Sequence, residues 1–386
     1  MKKKLHIHSD NSTWSGSENM VGVMLKDPDI HEHFDVSFSF RGSEGYAEGI
    51  WTWGNSRFLD TIPITRMTFW ITKLLKITKY KVLRPLLVFK YFCMVQEIYK
   101  LTKLFRRIKP NVLHINNGGF FGATSCNSAV ISGRLANIAT ITYTINSTVK
   151  ERWWERPITR LINKNVTTFI SASNHLKNTT KCFDNFEVIP NVILPRKIMD
   201  REEVRKLYGW KEDDVVFLCC GVLEKRKGFM NAVEAFQKVK SRNAKLMVKG
   251  QGPELEALTK EIKGKNRMYL YNNPECPVDD YSMINACDML VVPSISDEDF
   301  PNVILIAQMY GKLVIGTNLA GIPEMLKAVS GCLVESGDID GLARAIQGYS
   351  STYGPRVISS ALAKMRYPRV YSREKSIKKY LKLWGV

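Results

Sequence analysis

Three consecutive basic residues, Lys225-Arg226-Lys227, stand between an apolar run and a helical pattern. The run 215–220 predicts a buried strand, and the helix that follows Gly228 extends through Phe236. The first N–H groups of a helix are unpaired and its N-terminus carries a partial positive charge, so cationic side chains at such a place are suited to hold a phosphate. Taken alone, the same turn is equally consistent with a solvated surface loop.

Two further loops follow predicted strands in the same half of the chain. Residues 289–293 predict a strand that leads through Glu298 to a helix starting near Asn302. The loop 320–324 follows another apolar run, which ends at Thr317. Because open parallel sheets bind ligands at the carboxyl ends of their strands, these loops are candidates for a binding site.

Short apolar runs alternate with helical patterns throughout the chain, which predicts parallel sheets with crossover helices. The runs are 5–8, 36–40, 112–115, 139–144 and 168–171 in the first half, and 215–220, 245–249, 268–271, 289–293 and 312–317 in the second. The alternation restarts after Val188-Ile189-Pro190-Asn191. We therefore predict an α/β protein with two doubly wound, Rossmann-like domains that join near residues 190–195 and face each other across a cleft.

The formal net charge of +19 is unevenly distributed. Residues 51–150 carry 15 basic and two acidic side chains. Within them, 87–108 predicts an amphipathic helix whose apolar stripe is Leu87, Tyr91, Met94, Ile98, Leu101, Phe105 and Ile108, while Lys90, Lys100, Lys103, Arg106 and Arg107 lie off it. Upstream, basic residues alternate with aromatic and aliphatic ones from Arg66 to Arg84.

Three interpretations of this basic segment are open. It is a solvated face, or residues 66–107 dock to an anionic membrane, or they bind nucleic acid. No zinc-finger, RNP or basic-zipper pattern accompanies the charge, so we expect no nucleic-acid partner.

Cysteine and apolar patterns bear on the compartment. The eight cysteines form no CxxC pair and no zinc-like spacing, so we expect reduced thiols of a cytosolic protein. Polar residues follow the basic N-terminus, and the longest apolar stretch, 82–95, is broken by Arg84 and Lys90. These patterns predict neither a secreted nor a transmembrane protein.

Taken together, the segments resemble the retaining GT-B glycosyltransferases of the glycosyl transferases group 1 family (family 4 type), which move a sugar from a nucleotide donor to an acceptor. The resemblance covers nearly the whole chain and rests on the order and spacing of its motifs. These are Ser15-Gly16-Ser17-Glu18, Ile189-Pro190-Asn191, Gly250-Gln251-Gly252-Pro253-Glu254, the residues Asp288, Pro293, Ser294, Glu298, Phe300 and Pro301, Gly321-Ile322-Pro323-Glu324, and Tyr371-Ser372-Arg373-Glu374. The resemblance implies an acceptor-side domain at 1–190, a nucleotide-sugar-binding domain at 191–366, and a C-terminal helix at 367–386 that crosses back to the N-terminal domain.

The resemblance also implies how the donor diphosphate is held. Lys227, helped by Arg226, would contact it, and the backbone N–H groups of Asn302 and Val303 would hold phosphate at a helix start. Such enzymes need no cofactor and no bound metal when cationic side chains and helix ends neutralise the leaving diphosphate. The nucleotide sugar is then the co-substrate.

The donor sugar and base have implied partners as well. Glu298 would bind hydroxyls of the sugar, Gly16 would let the first loop approach the sugar and phosphate closely, and the base would rest near residues 272–274.

Three positions depart from the family's pattern. Val222 stands where an arginine is usual, and Ile306, eight positions after Glu298, stands where a glutamate normally holds the ribose. Asn146 stands where a histidine usually contacts the donor sugar, and it can still hydrogen-bond a hydroxyl.

The leading hypothesis is a metal-independent, retaining glycosyltransferase that builds a bacterial-type surface polysaccharide or glycolipid. Its acceptor would be lipid-linked or an oligosaccharide, and it would be cytoplasmic and peripheral at the inner face of the cell membrane. The alternative is a degenerate, non-catalytic transferase that acts as a binding or scaffold subunit, which the three departures favour.

Overall fold

The computed structural model describes residues 2–11, 16–40, 46, 89–271, 278–296, 298–352 and 354–386. They form two compact units: unit 1 contains residues 1–191 and 374–386, and unit 2 contains residues 192–373. The boundaries predicted from sequence are 190/191 and 366/367. Most of the predicted basic segment, residues 66–88, and the predicted base-binding residues 272–274 lie outside the described residues.

The described part of unit 1 that precedes residue 192 contains strands β1 to β6 and helices α1 to α6. The strands are β1 (Lys3–Asp10), β2 (Phe34–Phe40), β3 (Val112–Asn117), β4 (Thr140–Ile145), β5 (Thr168–Ser171) and β6 (Phe186–Val188). The helices are α1 (Asn19–Lys26), α2 (Pro28–His33), α3 (Phe89–Ile108), α4 (Thr124–Leu135), α5 (Arg156–Asn165) and α6 (Asn174–Thr179).

Unit 2 repeats this plan. Its strands are β7 (Val215–Cys220), β8 (Ala244–Lys249), β9 (Met268–Tyr271), β10 (Met289–Val292), β11 (Leu313–Thr317) and β12 (Cys332–Val334). Its helices are α7 (Arg201–Leu207), α8 (Phe229–Gln237), α9 (Leu255–Ile262), α10 (Asp280–Ala286), α11 (Asn302–Met309), α12 (Ile322–Ala328), α13 (Ile339–Ser351) and α14 (Gly354–Val370), and α15 (Arg373–Leu383) follows.

Both sheets are parallel throughout their described strands, and each has one switch point. The order in unit 1 is β2-β1-β3-β4-β5-β6, which reverses between β1 and β3. The order in unit 2 is β12-β11-β10-β7-β8-β9, which reverses between β7 and β10. In doubly wound sheets the ligand binds beyond the carboxyl ends of the strands at such a point.

Hydrophobic packing covers both faces of the second sheet. Val216 and Leu218 of β7 belong to one buried cluster, while the intervening Phe217 and Cys219 belong to another. Successive side chains of a strand point to opposite faces, so a strand buried on both faces reads as an unbroken apolar run. All ten predicted strands are confirmed, and no strand end is shifted by more than two residues.

Two short strands, β6 and β12, were missed by the sequence prediction. Each has three residues and lies at the edge of its sheet. Glu187 in β6 and all three residues of β12 are half-buried, so neither strand contains the continuous apolar run on which the prediction depended.

The predicted amphipathic helix forms α3, and its described stripe faces the core. Met94, Leu101 and Phe105 are buried, whereas Lys100 and Lys103 are exposed. The described cysteine side chains, at positions 126, 182, 219, 220, 287 and 332, are free thiols, as predicted. Among the described helices, none has the length and apolar content that crossing a bilayer requires.

Helix α15 completes unit 1. Trp384, just after it, is buried, donates a hydrogen bond from Nε1 to Thr142 Oγ1 (3.1 Å) and packs edge-on against Phe34. Ser376 Oγ donates to the carbonyl of Pro190 (3.2 Å). Burial of a large aromatic ring fixes this helix on the N-terminal sheet.

Three buried histidines make the stability of unit 1 dependent on pH. Burial lowers the pKa of His6, His8 and His114 from 6.5 to about 3. Between these values the unfolded chain binds protons that the folded chain does not, so the free energy of unfolding falls as pH drops below 6.5. Each histidine contributes up to about 1.4 kcal/mol per pH unit to the slope of the unfolding free energy against pH.

Thermal unfolding between pH 7 and pH 5 measures this slope. His114→Gln should reduce it by up to about 1.4 kcal/mol per pH unit, which corresponds to one proton. A slope unchanged by that substitution would contradict the assignment.

Candidate functional site

The basic turn lies between β7 and α8 and rests on the loop that follows β10. Residues Lys225–Lys227 form one 3₁₀ turn, which ends at Gly228 with φ of +66°. A Cβ at Gly228 would lie 2.1 Å from the carbonyl oxygen of Pro293, so only glycine permits this approach. Ile295 N donates to Arg226 O over 2.8 Å. Backbone contacts therefore fix the turn at the switch point of the sheet.

Glu298 joins two of the basic side chains. Its Oε2 accepts from Arg226 Nη1 at 3.1 Å and from Lys227 Nζ, and Arg226 Nε also donates to Glu224 Oε2 at 2.8 Å. The Glu298 side chain is 9% exposed and that of Lys227 is 15% exposed. Charges interact more strongly at such partly buried positions than at the open surface. In the described part of the chain, Glu298 Oε1 forms no hydrogen bond.

The N-terminus of α11 and a third loop meet the same region. Pro301 precedes the helix and provides no side-chain cap for the N–H groups of Asn302 and Val303. A Cβ at Gly321 would lie 1.9 Å from the carbonyl oxygen of Asp299, so the loop before α12 packs directly on the backbone beside Glu298. The loops after β7, β10 and β11 thus converge.

Predicted site residues of unit 2 divide into two groups. Arg226, Lys227 and Glu298 are in direct contact, and Asn302 and Val303 start the helix that follows Glu298. Ile306 is different, because it lies on the inner face of α11 and its side chain is buried in the hydrophobic core. An aliphatic side chain there offers no hydrogen bond to a ribose.

The predicted site residues of unit 1 are Gly16 and Asn146. Gly16 is exposed and begins a 3₁₀ turn after β1. Asn146 follows β4, and its Nδ2 donates to Asn116 Oδ1 (3.1 Å) and to the carbonyl of Asn117 (2.9 Å), both at the end of β3. With both donors engaged, Asn146 keeps its Oδ1 as an acceptor for a hydroxyl.

A buried polar cluster at the end of β1 was missed by the sequence prediction. Asp10 accepts hydrogen bonds from Ser125 N (3.1 Å) and Ser125 Oγ (2.8 Å), and so caps α4 from a neighbouring strand. His8 Nε2 is hydrogen-bonded to Ser125 Oγ (3.0 Å). The polar residues His6, His8, Ser9 and Asp10 in β1 are the sequence signal that could have indicated this cluster. Within the described ranges no group of three His, Cys, Asp or Glu residues is arranged to hold a metal ion.

Two doubly wound parallel sheets, each with one switch point, are the architecture of the GT-B fold, and the basic turn and the buried glutamate lie at the switch point of the second sheet. Residues 200–355 match the model of the family Glycosyl transferases group 1.

Individual proteins are similar to this chain in sequence or in fold. N-acetyl-alpha-D-glucosaminyl L-malate synthase of Bacillus anthracis is 27% identical over 227 residues, which are 55% of this chain and 58% of that protein. TuaC of Bacillus subtilis (strain 168), named as a teichuronic acid biosynthesis glycosyltransferase, is 29% identical over 149 residues, 39% of this chain and 36% of that protein. The matches therefore span less than two thirds of either relative. Anabaena HepE, solved in complex with UDP, has the same fold with a TM-score of 0.75, 14% identity and 98% coverage of both chains.

Val222 stands where the family usually has an arginine, so restoring that arginine tests whether a cation there contributes to binding. Its side chain is 48% exposed at the start of the loop after β7, so an arginine there needs no burial. The resemblance implies that a donor diphosphate lies at this turn, and on that basis we expect Val222→Arg to lower the Kd for a nucleotide sugar by about fivefold, because a charge-assisted hydrogen bond is added. Calorimetric titration measures the change. Val357→Arg is the matched control, since Val357 is 49% exposed on α14 and the charge change is the same. Equal effects of the two variants would contradict the assignment.

Proposed function

We propose that this protein transfers a sugar from a nucleotide-sugar donor to a glycan or lipid-linked acceptor in the synthesis of a bacterial-type surface polysaccharide or glycolipid. The single observation that carries the proposal is the contact of Glu298 with both Lys227 and Arg226 at the switch point of the second sheet. The named activities of the two bacterial relatives support the substrate class.

The donor diphosphate is held by cations and by a helix start. Lys227 and Arg226 neutralise it, and the N–H groups of Asn302 and Val303 approach it from the N-terminus of α11. Glu298 uses Oε2 to orient the two cations, while Oε1 accepts a hydrogen bond from a hydroxyl of the donor sugar. In unit 1, Gly16 lets the loop after β1 approach a sugar closely, and Asn146 Oδ1 accepts a hydrogen bond from a sugar hydroxyl.

The reaction retains anomeric configuration and uses no metal. Two cationic side chains oppose the charge that develops on the leaving diphosphate, which is the contribution a metal makes elsewhere. The leaving phosphate deprotonates the attacking hydroxyl on the same face of the sugar. The protein then mainly positions the two substrates and stabilises charge.

Contact with an anionic membrane through residues 66–107 is part of the proposal. In the described part of this segment, α3 exposes Val95 and Tyr99 one turn apart, with Lys100 and Lys103 beside them. Basic residues attract anionic lipids, and exposed apolar residues can enter the interface. The protein is then cytoplasmic and peripheral at the inner face of the membrane, where a lipid-linked acceptor is accessible.

Calorimetric titration with UDP-, GDP- and CMP-linked sugars tests the donor. We expect saturable binding of at least one nucleotide sugar with a Kd between about 1 μM and 1 mM, the range usual for enzyme substrates. Product analysis with that donor and a set of lipid-linked and oligosaccharide acceptors then identifies the acceptor. The absence of binding to every nucleotide sugar would overturn the proposal.

A second candidate function is a non-catalytic binding subunit of a glycan assembly complex. Burial of Ile306 in the core favours it, because the usual ribose contact cannot form there. The two candidates differ in turnover: donor binding without transfer to any acceptor would favour the second.

A further inference from the structure

Two tryptophans are exposed at the surface of unit 1. Trp153 and Trp154 form a 3₁₀ turn with Glu155 and are 74% and 43% exposed. Their rings meet edge to face at 5.5 Å, and the guanidinium of Arg152 lies 5.4 Å from the centre of the Trp154 ring. Adjacent exposed tryptophans are unusual on a protein that has no partner for them, since each leaves a large apolar area in water.

Helix α5 extends this exposed apolar surface. Pro157 and Leu161 are exposed and one turn apart, so they continue from the tryptophans along one stripe of the helix. Arg156, Arg160 and Lys164, also one turn apart and exposed, form a parallel basic stripe beside it. An apolar stripe flanked by a basic one is the pattern of a helix that lies in a membrane interface.

The acidic residues of this segment offset only part of its basic charge. Residues 150–164 contain five basic side chains, all of them exposed, and two acidic ones, Glu151 and Glu155. Glu155 is buried and accepts a hydrogen bond from Arg152 N (3.1 Å), while Glu151 lies 3.7 Å from Arg156. The outer face of the segment therefore combines exposed indole rings with positive charge.

We propose that the surface formed by Arg152, Trp153, Trp154, Arg156, Pro157, Arg160, Leu161 and Lys164, called here the Trp153 surface, docks onto an anionic lipid bilayer. The apolar stripe enters the interface, where indole rings are stable with one edge in contact with water, and the basic stripe contacts acidic head groups. A nucleic acid would satisfy the charges and leave Leu161 and Pro157 in water, so lipid fits the whole surface better.

The Trp153 surface lies close to the carboxyl end of β4 along the chain. Asn146 follows the carboxyl end of β4, and Trp153 comes seven residues later. Seven residues span at most roughly 25 Å. A bilayer held by the Trp153 surface therefore lies close to the carboxyl edge of the first sheet, where a lipid-linked acceptor could reach Asn146. This last step rests on the proposed function, but the docking itself does not.

Cosedimentation of the full chain with vesicles tests the docking. Vesicles of phosphatidylcholine alone are compared with vesicles that contain phosphatidylglycerol, using the wild type, Trp153→Ser/Trp154→Ser, and Arg156→Gln/Arg160→Gln/Lys164→Gln. We expect the wild type to bind the anionic vesicles and each variant to lower the partition coefficient about tenfold. Brominated lipids should quench the indole fluorescence of the wild type more than that of the tryptophan variant.

Matched controls come from exposed residues of unit 2. Val357→Ser/Ile358→Ser removes two exposed apolar side chains, and Arg242→Gln/Lys260→Gln/Lys263→Gln removes three charges from the surface. We expect less than about a twofold change for both. The proposal is overturned by wild-type partition in the tryptophan variant, or by a wild type that binds DNA or an acidic polysaccharide and no vesicles. Nucleotide-sugar calorimetry on the same variants separates this result from failure of the proposed function, because donor binding should not change.

Discussion

Replacing Lys227 with alanine should lower kcat/KM for sugar transfer by about 100- to 1,000-fold, the loss usual when one preorganised charge-stabilising group is removed. Lys227 is only 15% exposed and lies against Glu298, so water cannot fully replace it. In the proposed reaction its charge opposes the charge that develops on the leaving diphosphate, and this interaction is strongest in the transition state. Steady-state kinetics with the donor identified by calorimetry measure the effect.

Lys225→Ala is the matched control for that experiment. Lys225 belongs to the same turn but is exposed, so its removal should change kcat/KM by less than about threefold. Lys227→Arg keeps the charge and should recover part of the activity. A loss in the Lys225 variant as large as in the Lys227 variant would show that the turn acts only through its overall charge. Circular dichroism melting of all three variants separates loss of charge from loss of folding.

Replacing Gly228 with alanine should lower the free energy of unfolding of unit 2 by about 2 to 4 kcal/mol and weaken donor binding. Two penalties act together at this position. The φ of +66° is unfavourable for a residue with a Cβ, and that Cβ would lie 2.1 Å from the carbonyl oxygen of Pro293. The basic turn would have to move away from the loop that carries Glu298. Urea unfolding followed by circular dichroism and calorimetry with the donor measure the two effects.

Gly209→Ala isolates the backbone penalty. Gly209 has nearly the same φ, +65°, and no atom lies within 4 Å of the position that a Cβ would take there. It should lose only about 1 to 2 kcal/mol and leave donor binding unchanged. If both variants lost equal stability, the close approach to Pro293 would be unimportant and the turn would be held in another way.

The parallel architecture was predictable because strands buried on both faces are continuous apolar runs. β7 is the clearest case, since its alternate residues enter two different clusters. The stripe of α3 was predictable for a similar reason, because the period of a helix brings Met94, Leu101 and Phe105 to one side. Strands β6 and β12 were not, because edge strands of three residues bury too little apolar surface to leave a pattern.

The candidate site could also be predicted only in part, because some of its features are local in the sequence and others are contacts between distant residues. The sequence by itself determined that Lys225-Arg226-Lys227 follows a strand, that Glu298 lies in a loop, and that Asn302 starts a helix, because each is a local property of the chain. Only the tertiary structure decided that one oxygen of Glu298 binds both Arg226 and Lys227, 72 and 71 residues away. It also decided that Ile306 is buried and that Asp10 caps α4 from another strand. These contacts depend on the sheet order and on backbone approaches at Gly228 and Gly321, which bring together segments that carry no common signal in the sequence.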